Sequence, residues 1–367
     1  MNHQELQRIP AIDALKGLCA LIIAFVYHYR HFGQDSAVST FFELGHDYGY
    51  LLVDLFFTLS GFGIALGYQD KILNHEISFV SYIKKRVARF YPTHLITLLL
   101  VLIFQGLFFG KNGSFFIYQN NDAEHFFFNL LLLQNGVFGT EWSFNAPSWC
   151  LSIFVICYVV FFGIICYKST SVKYLIGKCI IVCVVGLLFI VGSSYPIMNS
   201  QIGRGLAGFS IGIILFNLYK NKDKVRGVSE ISFVILFFLF IGLSVCPQIF
   251  QNVHPLTLQY VVVVFVVPLT VVAFCFNRKM NFLFSNIFFR TLGKLSFCIY
   301  LWHFPVQCIV KCLDSMFALN IDYSSTFIWG MYCLLTIGIS ALDPFFSSKC
   351  NKMFSNSFNL FRNISKK

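Results

Sequence analysis

The sequence predicts an all-α, polytopic membrane helix bundle of about ten transmembrane helices, with the N- and C-termini cytoplasmic. Three observations carry that reading. Of the 367 residues, 57% are hydrophobic and only 12% are charged, whereas soluble domains carry about a quarter charged residues. The apolar residues fall in ten continuous runs, near 11–30, 48–68, 92–110, 146–167, 175–195, 203–219, 228–246, 257–276, 287–311 and 324–343. Runs of about 20 residues suit membrane-spanning helices, and their continuity argues against the dyad alternation of a barrel.

The third observation is charge placement. Arg8 and Lys16 flank the first run. Lys71, Lys84, Lys85, Arg86 and Arg89 lie between runs two and three, and Lys168, Lys173 and Lys178 between four and five. Lys220, Lys222, Lys224 and Arg226 separate six from seven, Arg278, Lys279, Arg290 and Lys294 lie between eight and nine, and Lys349 and Lys352 are in the tail. The alternate connections are acidic or sparse, with Asp35, Glu43, Asp47, Asp122, Glu124, Glu141, Asp314 and Asp322. Lys/Arg excess marks the cytoplasmic side. The first run is too long for the core of a cleaved signal and no small-residue cleavage site follows it. These features predict one transmembrane domain over 1–345 and a short basic cytoplasmic tail over 346–367. The stretch His125–Leu133 is too short to cross and is expected to re-enter or lie in the interface.

Composition also excludes. The net charge of +11 is spread over loops, so no basic soluble domain exists to bind nucleic acid. The 13 cysteines lie mostly inside apolar runs, which suits small packing residues better than a disulfide framework. No spacing of His31, His46 and His125 supports a metal site, and these three read as ordinary loop residues.

Chemistry is suggested by ionisable residues inside apolar runs, which are costly there and read as functional by default. Lys16 and His28 share the first run and lie about 18 Å apart along a helix at 1.5 Å per residue. Run two carries Asp54 and the Ser60–Gly61 pair. Before and into run three stands the stretch Phe79–Pro92, with Lys84, Lys85, Arg86 and Arg89, ending in a Pro that opens the span. Run four begins Pro147-Ser148-Trp149-Cys150-Leu151-Ser152. Run nine contains Tyr300-Leu301-Trp302-His303-Phe304-Pro305. Residue by residue, plain readings stand beside functional ones. The Lys84–Arg89 cluster is what cytoplasmic charge bias alone would produce. His28 suits an interfacial hydrogen bond, His303 either orients a neighbour or packs, and Asp54 is either catalytic or paired with Lys16 or Arg89. Trp149, Tyr300 and Trp302 read as packing or interfacial aromatics.

In this order and topology, the motifs resemble the acyltransferase-3 family of integral membrane O-acyltransferases, over nearly the whole chain. The resemblance rests on the basic residue followed by His in run one, and on the D-L-F-F-x-L-S-G-F, R-x-x-R-x-Y-P and Y-L-W-H-x-P patterns. It implies transfer of an acyl group, usually acetyl, from cytoplasmic acetyl-CoA to a hydroxyl of a carbohydrate acceptor such as O-antigen, capsule or another glycan. It places the chain in a bacterial cytoplasmic (inner) membrane, expects no metal, and leaves room for a homo-oligomer. His28 is then the base, since neutral imidazole accepts a proton well near neutral pH, with His303 and Asp54 as further catalytic candidates. Lys16, Lys84, Lys85, Arg86 and Arg89 are the candidates for the phosphates of CoA.

The chain departs from the family pattern in two places. Lys16 replaces the usual Arg, and eleven residues rather than ten separate it from His28. In a regular helix ten would put the pair about 20° apart and eleven about 120°. Either a π-bulge restores the register or the two residues do not share a groove. Phe154 stands where many members carry an acidic residue. A secondary transporter or flippase shares the composition, but predicts paired broken helices in two repeated halves. The Gly203-x-Gly205-x-x-Gly208-x-x-x-Gly212 stripe has no such partner and reads as close helix packing. A non-catalytic member of the same family is the other alternative.

Overall fold

The computed structural model describes residues 8–33, 42–134, 137–138, 141–166, 171–191, 196–221, 226–245 and 253–344. Asp35, Lys168, Lys222, Lys224, Lys349, Lys352 and the predicted tail 346–367 lie outside the described residues. Among those described there is no strand. Nine segments are helical, long and apolar enough to cross a membrane, and a further apolar helical stretch covers Gly227–Gly242. The chain is a polytopic all-α membrane bundle.

In chain order the helices are α1 (Pro10–Ile22), α2 (Glu43–Tyr48), α3 (Leu52–Leu73), α4 (Phe79–Asn112), α5 (Ala123–Leu130), α6 (Trp149–Cys166) and α7 (Val172–Val191). They continue with α8 (Ser200–Tyr219), α9 (Arg226–Val245), α10 (Pro255–Val261), α11 (Val267–Cys275), α12 (Arg278–Leu283) and α13 (Ile287–Phe317). The last, α14, covers Thr326–Pro344. Local chemistry sets several starts. Pro10 at the head of α1 needs no hydrogen-bonded N–H there. Asn199, Asn277 and Asn286 cap α8, α12 and α13 with their side-chain oxygens. Asp122 caps the short α5, and the His125 N–H bonded to its carboxylate holds that carboxyl below the usual range.

One boundary differs from the sequence expectation. Ser78 caps α4 at Phe79, so the whole basic stretch is helical and Pro92 lies inside the helix rather than opening the span. The consequence is functional: Arg86 and Arg89 stand on the same helix that crosses the bundle. The short stretch after Asp122 forms α5, which rests on α4 through Tyr91 Oη–Leu130 O (2.9 Å) and His94 Nε2–Asn129 O (2.9 Å).

Helix α13 packs along α1 on one side and α4 on another, while α8 lies between α3 and α7. Small residues let these backbones approach. A Cβ at Gly212 would stand 2.1 Å from the Thr58 carbonyl oxygen, one at Gly61 2.1 Å from Phe209 O, and one at Gly203 2.5 Å from Gly186 O. Lipid tails give helices no hydrophobic drive to associate, so such contact is what holds them.

Overpacking that seam is expected to cost about 1–3 kcal/mol. Gly212→Ala should therefore lower the melting temperature of the detergent-purified protein. Gly163→Ala, where nothing stands within 4 Å, should leave it unchanged or slightly raised. Equal melting temperatures for the two variants would contradict this packing.

Candidate active site

The first span holds the geometric key. Helix α1 passes into a π-helical turn over Ile23–Tyr27 and then a 3₁₀ turn over His28–His31. A π turn absorbs one extra residue. The eleven-residue separation of Lys16 and His28 is thereby brought back to about the angular relation of a ten-residue one, about 20° rather than about 120°. The turn is braced from α14: Tyr332 Oη donates to Ala24 O (3.2 Å) and His303 O (3.3 Å), and Trp329 Nε1 donates to Phe25 O (2.8 Å). Carbonyls released from regular helical pairing need such donors, because the membrane interior offers none.

Beyond the turn, His28 meets α13. Its Nδ1 lies 2.8 Å from His303 Nε2, with the ring planes 9° apart. His303 Nδ1 lies 2.6 Å from the Tyr300 carbonyl. A carbonyl only accepts, so His303 carries its proton on Nδ1, and its Nε2 accepts the Nδ1–H of His28. His28 Nε2 is left with a free lone pair. Gln307, fully buried, ties the same turn down: its Nε2 donates to His28 O (2.8 Å) and its Oε1 accepts from His31 Nδ1 (2.9 Å).

His28 opens on a cavity of about 270 Å³ walled by Tyr27, Arg30, His31, Tyr50, Tyr118, Trp142, Trp149 and Arg204, among others. A second cavity, of about 250 Å³, contains Lys16, Arg86, Arg89 and Lys294 with Asp13, Ser60, Phe154 and Tyr158. Two residues, Val53 and Tyr300, line both. Asp13, the one carboxylate in the second cavity wall, is already bonded to Arg8. Arg86 reaches Tyr68 Oη and lies over its ring, 4.3 Å from the centroid. Lys16, Arg89 and Lys294 have no ion pair or hydrogen bond among the described residues. The chamber is thus rich in uncompensated cations.

The sequence candidates sort accordingly. His28 and His303 come together. Lys16, Arg86 and Arg89 share one chamber, whereas Lys84 and Lys85 are exposed and line neither cavity. Asp54 is fully buried, but its partner is neither Lys16 nor Arg89. Arg204 of α8 grips it side-on, Nε to Oδ1 at 2.8 Å and Nη2 to Oδ2 at 3.1 Å, and Nη2 also donates to Tyr50 O at 2.9 Å. Asp54 does not line either cavity. Trp302, read as packing or an interfacial aromatic, donates to the buried Asp343 (2.9 Å). Trp149 lines the His28 chamber, with Arg204 Cζ 5.5 Å from its ring centroid.

Comparison with known proteins agrees with this architecture. The acyltransferase-domain model of acyltransferase-3 proteins matches residues 9–342. The chain belongs to the acyltransferase-3 family. A curated relative, "Protein 2 in picA locus" of Rhizobium radiobacter, is 35% identical over 101 residues. That match covers 28% of this chain and 48% of the relative, so it spans about half the relative's length. No solved structure matches significantly.

In this member of the family, the candidate site is built from residues of several spans, and some of them carry no strong sequence signal. His31, taken as a loop residue, is a wall of the His28 chamber. Arg204 is an ionisable residue in an apolar run, the same signal that singled out Lys16 and His28, hidden by a glycine stripe, whereas Asp343, at the end of run ten, lines neither cavity and bonds Trp302 and Thr93. Gln307, Trp329 and Tyr332 had no such signal, since each acts on a neighbouring backbone carbonyl.

Two predictions follow the geometry. Tyr332→Phe removes one brace of the π turn that positions His28, and if His28 takes part in the reaction, a misplacement of that kind costs up to about a hundredfold in rate. The variant should lose kcat with little change in donor KM. For the buried pair, Arg204→Met leaves the Asp54 charge uncompensated and should destabilise the protein by about 3–5 kcal/mol, whereas Asp54→Leu with Arg204→Met should regain most of that loss. Thermal unfolding measures this. Recovery of stability without recovery of acyl transfer would mean that the pair also serves the reaction.

Proposed function

We propose that the protein is an O-acetyltransferase that moves an acetyl group from cytoplasmic acetyl-CoA to a hydroxyl of a cell-surface or lipid-linked glycan, on the outer side of a bacterial cytoplasmic membrane. One observation carries the reading: a cation-walled chamber and a histidine-bearing chamber abut at Val53 and Tyr300. Lys16, Arg86, Arg89 and Lys294 offer charges for a ligand with several phosphates, with Arg able to bind phosphate bidentately. They lie on the Lys/Arg-rich side of the sequence, the side expected to face the cytoplasm. The other chamber carries Tyr27, Tyr50, Tyr118, Trp142 and Trp149, flat apolar faces with polar tips that suit a sugar ring and its hydroxyls.

His28 is the base in this scheme. Its Nε2 takes the proton of the acceptor hydroxyl as the oxygen bonds to the thioester carbonyl carbon. The tetrahedral centre collapses, the C–S bond breaks, and the proton passes from His28 to the departing thiolate, giving an ester and free CoA thiol. His303 stays neutral. It accepts the Nδ1–H of His28 and holds that ring in the tautomer that leaves Nε2 free, a positioning role of the kind a carboxylate plays in hydrolytic triads.

Removal of a general base costs roughly 10²–10⁴-fold. Membranes bearing the protein, given radiolabelled acetyl-CoA and a surface-glycan extract, should label the glycan, and His28→Ala should abolish the label. Full labelling by His28→Ala would remove it as the base. On the donor side, Arg89→Gln should raise the acetyl-CoA KM by roughly tenfold, since a hydrogen bond to a charged group contributes about 1.5–3 kcal/mol. The Lys84→Gln, Lys85→Gln double variant should stay within about twofold, since neither side chain lines the chamber that Arg89 lines.

A further inference from the structure

The reaction proposed above needs the thioester carbon to meet His28, and the two chambers have Val53 and Tyr300 in common among their lining residues. Both residues are nearly buried, each 5% exposed, and both are fixed. Tyr300 donates its hydroxyl to Pro147 O at 2.7 Å, and its ring lies 5.8 Å from that of Phe56. Its carbonyl holds the His303 proton. Val53 precedes Asp54, whose carboxylate is gripped by Arg204 from α8. Moving the Tyr300 ring would break its buried hydrogen bond to Pro147, and moving the head of α3, which carries Val53, would break the buried Asp54–Arg204 pair.

We infer that Val53 and Tyr300 form an acyl-length gauge: a short acyl group reaches His28 between them, and a longer one is stopped by the Val53 methyls and the Tyr300 ring. Val53 sets the width, because it is the smaller wall and carries no other duty in the site. Tyr300 sets the rigidity through its bond to Pro147. The gauge is apolar on the Val53 side, so it discriminates by volume. A single methylene in such a site is worth about 10- to 200-fold in selectivity.

This inference rests on the acyl-CoA reading, and the test separates the two. Purified protein is assayed with acetyl-, propionyl- and butyryl-CoA, and CoA binding is measured in parallel. Val53→Ala should raise the butyryl-to-acetyl rate ratio by roughly tenfold or more, with CoA affinity unchanged. Val53→Leu should lower the propionyl-to-acetyl ratio by a similar factor. Tyr300→Phe keeps the backbone carbonyl for His303 and frees the ring, so it should relax selectivity in the same direction as Val53→Ala. Ratios unchanged in Val53→Ala and Val53→Leu, in protein that still binds CoA and transfers acetyl, would overturn the gauge alone. Failure of the unaltered protein to bind CoA or transfer any acyl group would overturn the reading beneath it.

Discussion

A membrane interior supplies no water, so every backbone carbonyl displaced from helical pairing must find a protein donor or cost several kcal/mol. That constraint governs the π turn at Ile23–Tyr27, and much else follows from it. The turn is tolerated because α14 brings Trp329 and Tyr332 to Phe25 O and Ala24 O. Once the turn exists, His28 swings to the side of α13 and meets His303, and Gln307 closes the arrangement on the His28 carbonyl. The first, ninth and tenth spans of the sequence thus form one unit. The last span, far from His28 in the chain, is what lets the first one bend.

The rest of the bundle keeps two chambers apart while allowing them to touch. Close approach of α3 and α8 at Gly61 and Gly212 brings Arg204 beside Asp54. The Asp54–Arg204 pair is buried and bidentate, which is the geometry in which a buried ion pair can offset its desolvation. Its value here is positional. It holds the head of α3, and hence Val53, against the histidine chamber, while one Arg204 N–H also satisfies the Tyr50 carbonyl. Cations on one side of that seam remain uncompensated, and aromatic faces dominate the other.

Much of the fold was legible from composition and charge. The span limits read from apolar runs fall close to those of the helices, because lipid imposes length and continuity directly on the sequence. Pro92 was misread as a helix start. Proline inside a helix is tolerated where the surrounding bundle compensates, and that is a tertiary property. The site was legible in part. His28 and His303 carried motif signals, and the one-residue excess in the first span named the π turn as one of two outcomes. Asp54 was visible as a costly group, but its partner was not, since Arg204 lies 150 residues away. Arg204 itself passed unnoticed inside a glycine stripe, although the rule that flags Lys16 applies to it equally. The braces Gln307, Trp329 and Tyr332 left no mark in the chain, because a donor to a distant backbone carbonyl can be any of several residue types.

The histidine pair bears on how a base can work at this depth. Among the described residues neither ring is bonded to a carboxylate. A carboxylate placed there would need its own cation to offset desolvation, as Asp54 needs Arg204. Two neutral imidazoles avoid that requirement. The Nδ1–H of His28 points at the lone pair of His303, and the Nδ1–H of His303 points at the Tyr300 carbonyl, so the bond dipoles line up toward α13. In the proposed reaction, a proton taken by His28 at Nε2 would place positive charge against this aligned chain without any group having to reorient, the condition under which electrostatic stabilisation is most effective. Tyr300 ends that chain with its carbonyl and borders both chambers with its side chain. In the proposed reaction, the same residue would then border the path of the acyl group and orient the base.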